Sequence, residues 1–208
     1  MKLNSADAII VNNVNNAVKD IFANDYSGHD YLHTLRVLKN AHELQAVEGG
    51  DLFLISLSAL LHDVDDYKLF PGNSIEKSNA HKILRENSVE EYKVYKIIEI
   101  IDSVSYSKCK APQTIEAKIV QDADRLDPLG AIGIARCFAF GGNHNRPIYT
   151  ENDLDGKNIS GSNSSFSHFY QKLLKLNDLM QTEEGKKRAV TRTEFILSYL
   201  NQLMSEII

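Results

Sequence analysis

Four side chains of this sequence have the types and order that could hold one divalent metal: His33, the adjacent pair His62 and Asp63, and Asp124. In order they read H…HD…D, and each falls in a stretch with helical patterning. Two imidazoles with two carboxylates are not the sulfur-rich set of a structural zinc site. Mixed nitrogen and oxygen donors suit Mn2+ first, and also Mg2+, Ni2+, Fe2+ or Co2+, in octahedral geometry. Four protein donors leave two positions open, one for a water made more acidic and one for a substrate oxygen, so the chemistry expected is hydrolysis.

A histidine–aspartate dipeptide alone carries little weight, since a chain of this composition yields about half of one by chance. Two occur. His29–Asp30 stands where a helix starts, so Asp30 reads as a first-turn carboxylate favoured by the helix dipole. His62–Asp63 closes the apolar run from Leu52 to Leu61, a stretch that must be a buried helix or strand. Polar groups emerging there must be paired or must ligate something. Asp124 has two close competitors, Asp122 and Asp127. The dipeptide Asp127–Pro128 makes a good N-cap and N1 pair for the next helix, a sufficient structural role for Asp127.

The elements that would position these groups are helices. Ile10, Val14, Ala17 and Ile21 recur at helical spacing, as do Leu32, Leu35, Leu38 and Ala41, with a turn-forming segment from Asn24 to Gly28 between them. His29, His33 and Arg36 share one face beside the second stripe. The buried third helix runs to about Val64. Beyond Pro71–Gly72, Asn73 with Glu76 forms a capping box for a helix through about Glu86, and Ser88 with Glu91 repeats it for a helix bearing Val94, Ile97, Ile98 and Ile101. Another helix begins near Thr114, carries Ile115, Ile119, Val120 and Ala123, and ends close to Asp127, which puts Asp124 and Arg125 near its end. The next bears Ile132, Ile134, Ala135 and Phe138. Residues 141–165 read as one long loop, a length often found in functional lids, and helices from about Phe166 and Thr182 complete the chain. With no convincing strand and no repeat, the expectation is an all-α helical bundle.

Composition sets outer bounds. The 208 residues are 43% hydrophobic and 25% charged with 4 Pro, enough for one core and without a linker, so a single domain over 1–208 is expected. A net charge of -5 lacks the basic footprint of a duplex nucleic-acid binder. The 2 cysteines, Cys109 and Cys137, stand outside any CxxC motif and suggest free thiols in a reducing compartment. The N-terminal segment MKLNSADAII has no apolar core of a signal peptide. No run reaches the ~18 residues needed to span a bilayer, so the expected location is cytoplasmic, with no membrane partner.

The phrases HDYLHTLRVLKNAHEL, LSALLHDVDDYKLF and IVQDADRLDPLGAIGIARCFAFGG are similar to those of the HD-domain superfamily of metal-dependent phosphohydrolases. They look closest to its small bacterial subgroup that includes nucleotide pyrophosphohydrolases. The resemblance spans most of residues 27–142, with a weaker echo through HFYQKLLKL and RTEFILSYL. It implies an HD-domain helical bundle with a central metal site, in which His33, His62, Asp63 and Asp124 are the ligands. The similarity of Ala123-Asp124-Arg125-Leu126 to the superfamily's ADRL-type segment is what favours Asp124 over its neighbours.

The resemblance also extends to a phrase HDxxDxK, fitted here by Asp66 and Lys68. Asp66 would accept a proton from the attacking water or orient it, and Lys68 would neutralise phosphate charge. Asp65, just before it, reads as a solvated turn carboxylate. Arg36 and Arg125 are natural phosphate forks that could equally pair with acidic neighbours. His29 could touch phosphate or a second metal, or simply pack at the helix start, and His81 could reach the cleft as a proton donor or sit on the surface. Asn143-His144-Asn145-Arg146 could close over substrate; His168 and Cys137 read as structural. The leading expectation is hydrolysis of nucleoside triphosphates to monophosphate and pyrophosphate. The alternatives are a phosphomonoesterase or cyclic-nucleotide phosphodiesterase on the same site, an HD-fold di-iron oxygenase, or a helical binding module without chemistry. A homodimer through terminal helices is compatible with the sequence.

Overall fold

In a computed structural model of the chain, residues 2–23, 30–66, 77–104, 111–154 and 162–207 are described, and their regular structure is helical, with no strand among them. The order is α1 (Ser5–Ile21), α2 (Tyr31–Glu48), α3 (Leu52–Leu61), α4 (Ser78–Glu86), α5 (Glu91–Val104), α6 (Ile115–Leu126), α7 (Gly130–Asn143), α8 (Glu151–Leu154), α9 (Ser165–His168) and α10 (Glu183–Ile207). Between α9 and α10 the chain winds on as a π-helical turn, Phe169–Leu173, and a 3-10 segment, Leu174–Leu179. Two compact units result, Met1–Asp124 and Arg125–Ile208. Among the described residues no helix is long and apolar enough to cross a membrane.

In the first unit α3 is the axis, packed against α1, α2 and α5. Its sequence, LFLISLSALL, is apolar on every face, so it can be stable only when surrounded. Every residue from Phe53 to Leu61 is buried. Asp51 starts it, accepting hydrogen bonds from the backbone N–H groups of Phe53 and Leu54 at 2.9 and 3.2 Å. The buried helix expected from the sequence is therefore present, and it ends at Leu61, short of Val64.

Helix α2 differs from its sequence stripe. Leu32 is 60% exposed, while His33, Thr34, Val37, Asn40, Ala41, Leu44 and Gln45 are buried. Two of the polar groups on that inward face find partners there: Gln45 Nε2 donates to the Gly50 carbonyl and Asn40 Nδ2 to the Ala123 carbonyl. Asp30 is the N-cap of α2, its carboxylate accepting from the His33 N–H at 2.7 Å.

Two expected caps differ from the sequence reading. Ser88 does not open α5: it sits at φ 54° and its N–H closes α4 on the Arg85 carbonyl. Asp127 does not cap α7, whose N-cap is Leu129 with no side-chain bond. Asp127 is instead buried and paired with the Arg136 guanidinium further along α7, a charged partner that outcompetes a lone backbone N–H. The Asn73–Glu76 box lies outside the described residues, as does Cys109. The long loop expected over 141–165 is interrupted: α7 continues to Asn143, and Glu151–Leu154 forms the short α8. In the second unit α10 packs on α7, and α7 on α9.

Candidate metal centre

Each donor arrives by a short, definite route. His33 is the third residue of α2, pinned by the Asp30 cap. His62 is the residue that ends α3, and its Nδ1 bonds the Ala59 carbonyl at 2.9 Å. A carbonyl can only accept, so Nδ1 carries the hydrogen and the lone pair of the neutral ring is left on Nε2. Asp63 follows in the turn that leaves α3, and Asp124 stands in the last turn of α6.

These atoms converge. His33 Nε2 lies 3.3 Å from His62 Nε2, 3.4 Å from Asp63 Oδ2 and 3.5 Å from Asp124 Oδ1. His62 Nε2 lies 3.2 Å from Asp63 Oδ2 and 3.8 Å from Asp124 Oδ1. The donors of His33, His62 and Asp124 are all within 4.8 Å of one another. Donors about 2.1 Å from a shared cation stand about 3.0–3.4 Å apart at cis-octahedral or tetrahedral angles and about 4.2 Å apart when trans, and spacings of 3.2 to 3.8 Å fall within that span. The histidines are almost fully enclosed, with side chains 1% and 2% exposed, whereas Asp124 is 32% exposed and forms the open edge of the cluster.

The electrostatics agree with a cation. Burial alone pushes His62 down, but the neighbouring Asp63 carboxylate, helped by Asp124 and the Ala59 carbonyl, outweighs it and raises the imidazole to about 9. Two carboxylates facing two buried rings thus draw positive charge into the gap, a proton if nothing else is there. The donor chemistry fits a divalent ion of the N/O-preferring class.

The competitors of Asp124 are placed elsewhere. Asp122, two positions earlier on α6 and so on the opposite face, is fully buried, and Asp127 is held by Arg136. Of the other expected site residues, Asp66 adjoins the cluster through its N–H, which bonds the Asp63 carbonyl at 3.0 Å. Arg36 lies near one turn beyond His33 on α2 and is half-buried. His81 lies on α4, where it lines a cavity with Ser78, Lys82, Arg85 and Glu86, and its Nδ1 is buried without a hydrogen-bond partner. Arg125 directs its Nη1 to the Leu179 carbonyl, closing the 3-10 segment. His29 and Lys68 lie outside the described residues. His144 stacks on Phe140 at the end of α7, with the Arg146 guanidinium over the same ring.

Sequence reasoning missed Asn40 and misread Asp65. Asn40 is 4% exposed, and its bond to the Ala123 carbonyl is 3.1 Å long. That carbonyl lies in the last turn of α6. The amide thereby ties the helix of His33 to the turn of Asp124. A signal for it exists in the sequence: Asn40 follows His33 by two helical turns along the same face. Replacing Asn40 with alanine is expected to cost about 1 kcal/mol, because a buried side-chain hydrogen bond between two helices is lost. Urea titration would test it, and an unchanged midpoint would argue against the tie. Asp65 is 1% exposed, not solvated, and accepts from backbone N–H groups of α4.

The chain is similar to known proteins over nearly its whole length. Residues 30–129 match the family model of the HD domain. The protein YpgQ of Bacillus subtilis is 35% identical over 194 residues, 91% of this chain and 90% of YpgQ. A solved HD-superfamily hydrolase of Bacillus thuringiensis superposes with a TM-score of 0.79 at 39% identity, covering 96% of this chain and 97% of the other. A crystal structure of B. subtilis YpgQ in complex with ADP superposes with a TM-score of 0.81 at 33% identity, covering 97% and 96%.

Proposed function

The chain belongs to the HD domain family, and from that premise we propose that it is a metal-dependent phosphohydrolase that converts nucleoside triphosphates, NTP or dNTP, to monophosphate and pyrophosphate. The observation that carries this reading is the grouping of donors from His33, His62 and Asp124 within 4.8 Å of one another, with Asp63 Oδ2 3.4 and 3.2 Å from the two histidine nitrogens. These four would hold the ion, with Mn2+ favoured. A divalent ion there supplies Lewis acidity and makes water a nucleophile near neutral pH. The nucleotide part of the proposal is supported by ADP in the crystal structure of YpgQ.

The protein's own groups then have these tasks. Asp66, held beside the cluster by its bond to the Asp63 carbonyl, would orient the attacking water or take its proton. Water adds to the α-phosphorus, the α–β anhydride bond breaks, and pyrophosphate leaves. Arg36 on α2 would offer a planar fork to phosphate oxygens, and Lys68, His29 and His81 would add positive charge or a proton to the leaving group. The open edge at Asp124 is the side from which substrate would arrive. This reading treats 1–208 as one functional domain of a cytoplasmic enzyme.

The test is turnover of a panel of NTPs, dNTPs, nucleoside monophosphates and cyclic nucleotides with added Mn2+, resolving phosphate from pyrophosphate. Pyrophosphate release is expected, lost with a chelator and restored by fresh Mn2+. Phosphate from monophosphates or ring opening of cyclic nucleotides, without pyrophosphate, would replace the triphosphate reading with the corresponding esterase. No turnover by metal-loaded protein would sink it.

A further inference from the structure

The turn that presents Asp63 is not held by α3 alone. After Leu61 the α-helical ladder stops, and residues 62–65 continue as turns. A ligand on such a turn needs an outside anchor if it is to keep its place before any ion arrives.

The anchor lies fourteen residues ahead. Asp65 Oδ1 accepts the Asn79 N–H at 3.0 Å and Oδ2 accepts the Ala80 N–H at 2.9 Å. Asn79 returns the contact, its Nδ2 donating to the Val64 carbonyl at 2.7 Å. Three bonds therefore join residues 64–65 to residues 79–80, and the aspartate at their centre is 1% exposed.

Helix α4 has no cap of its own. Its N-cap residue, Lys77, adopts φ 52°, ψ 42° and makes no side-chain cap bond. The first N–H groups of a helix need an acceptor and favour a negative one. Asp65 meets both needs from a different element, so the helix start and the turn of Asp63 are mutually dependent.

We propose that Asp65 is a positioning residue for the metal centre: by clamping the His62–Asp66 turn to the N-terminus of α4 it holds Asp63 ready to ligate. It touches neither ion nor substrate. This inference rests on the reading of His33, His62, Asp63 and Asp124 as the ligands.

The experiment measures Mn2+ affinity by electron paramagnetic resonance on wild type, Asp65→Ala, Asp65→Asn and Asn79→Ala, with Tm recorded for each. Asp65→Ala is expected to weaken Mn2+ binding by about tenfold, the lower end of what lost support of a ligand usually costs. Asp65→Asn keeps one acceptor and should recover part of the affinity. Asn79→Ala loses only the bond to the Val64 carbonyl and should show the smallest change. If Asp65→Ala fails to fold, Asp65→Asn and Asn79→Ala still report, because the first keeps an acceptor oxygen and the second keeps both backbone bonds to the carboxylate. Variants with lowered Tm but wild-type Mn2+ affinity would make Asp65 a helix cap alone and overturn the proposal. A wild-type protein that bound no Mn2+ would instead overturn the ligand reading, and this inference with it.

Discussion

Asp63→Ala should lose tight Mn2+ binding and at least about 10^3-fold of turnover, because Lewis-acid stabilisation worth several kcal/mol goes with the ion. The reasoning is electrostatic before it is geometric. Asp63 Oδ2 is the carboxylate oxygen nearest to both rings, 3.4 Å from His33 Nε2 and 3.2 Å from His62 Nε2. Among the groups that raise His62 it is the largest contributor after burial, which acts the other way. Without it, one carboxylate remains, and that one is the more exposed Asp124. Asp63→Asn keeps an oxygen donor and the side-chain shape but not the charge, so it should bind Mn2+ between the two extremes. Calorimetric titration with Mn2+ is the direct measurement, made beside turnover of whichever nucleotide the wild type accepts. An Asp63→Ala protein with wild-type Mn2+ affinity would remove Asp63 from the ligand set.

The order of the four donors is legible in the sequence because each belongs to a local pattern: His33 in a helix start, His62–Asp63 at the end of an apolar run, Asp124 in a helix end. The all-helical class is legible for the same reason, since amphipathic spacing is a property of neighbouring residues. The inward face of α2 is not. Counting leucines selects Leu32, which is 60% exposed, because the true interior carries polar groups whose partners come from distant segments. Asn40 meets Ala123, 83 positions away, and no local rule reports that.

The same cause explains the misplaced caps. Sequence rules pair a capping side chain with an N–H two or three residues ahead. Asp127 and Asp65 ignore that range, the first binding Arg136 nine residues on and the second Asn79 fourteen residues on. A buried carboxylate takes the donors that packing brings within reach, a guanidinium for Asp127 and the first N–H groups of α4 for Asp65, and nearness in sequence then loses its predictive value. Both follow closely on a proposed ligand, Asp65 on Asp63 and Asp127 on Asp124, where the chain leaves a helix and local hydrogen bonding runs out.

Gly133→Ala should destabilise the second unit by about 3 kcal/mol or more, although it changes no charge and no hydrogen-bonding side chain. A β-carbon built on Gly133 would lie 2.2 Å from the Pro128 carbonyl oxygen and 2.4 Å from its carbon. These are backbone atoms, and neither can rotate away as a flexible side chain would. Relief requires moving the first turn of α7 off the Asp127–Leu129 corner, where Arg136 holds the buried Asp127. Arg192 also donates to the Leu126 carbonyl at the end of α6, so the shift would strain two guanidinium contacts at once. Gly142 is the control on the same helix: a β-carbon there meets nothing within 4 Å, and Gly142→Ala should be neutral or slightly stabilising. Thermal unfolding of the two variants side by side decides the matter. Equal Tm values would mean that the corner at Pro128 yields easily, and that the close approach of Gly133 contributes little to holding α7 in place.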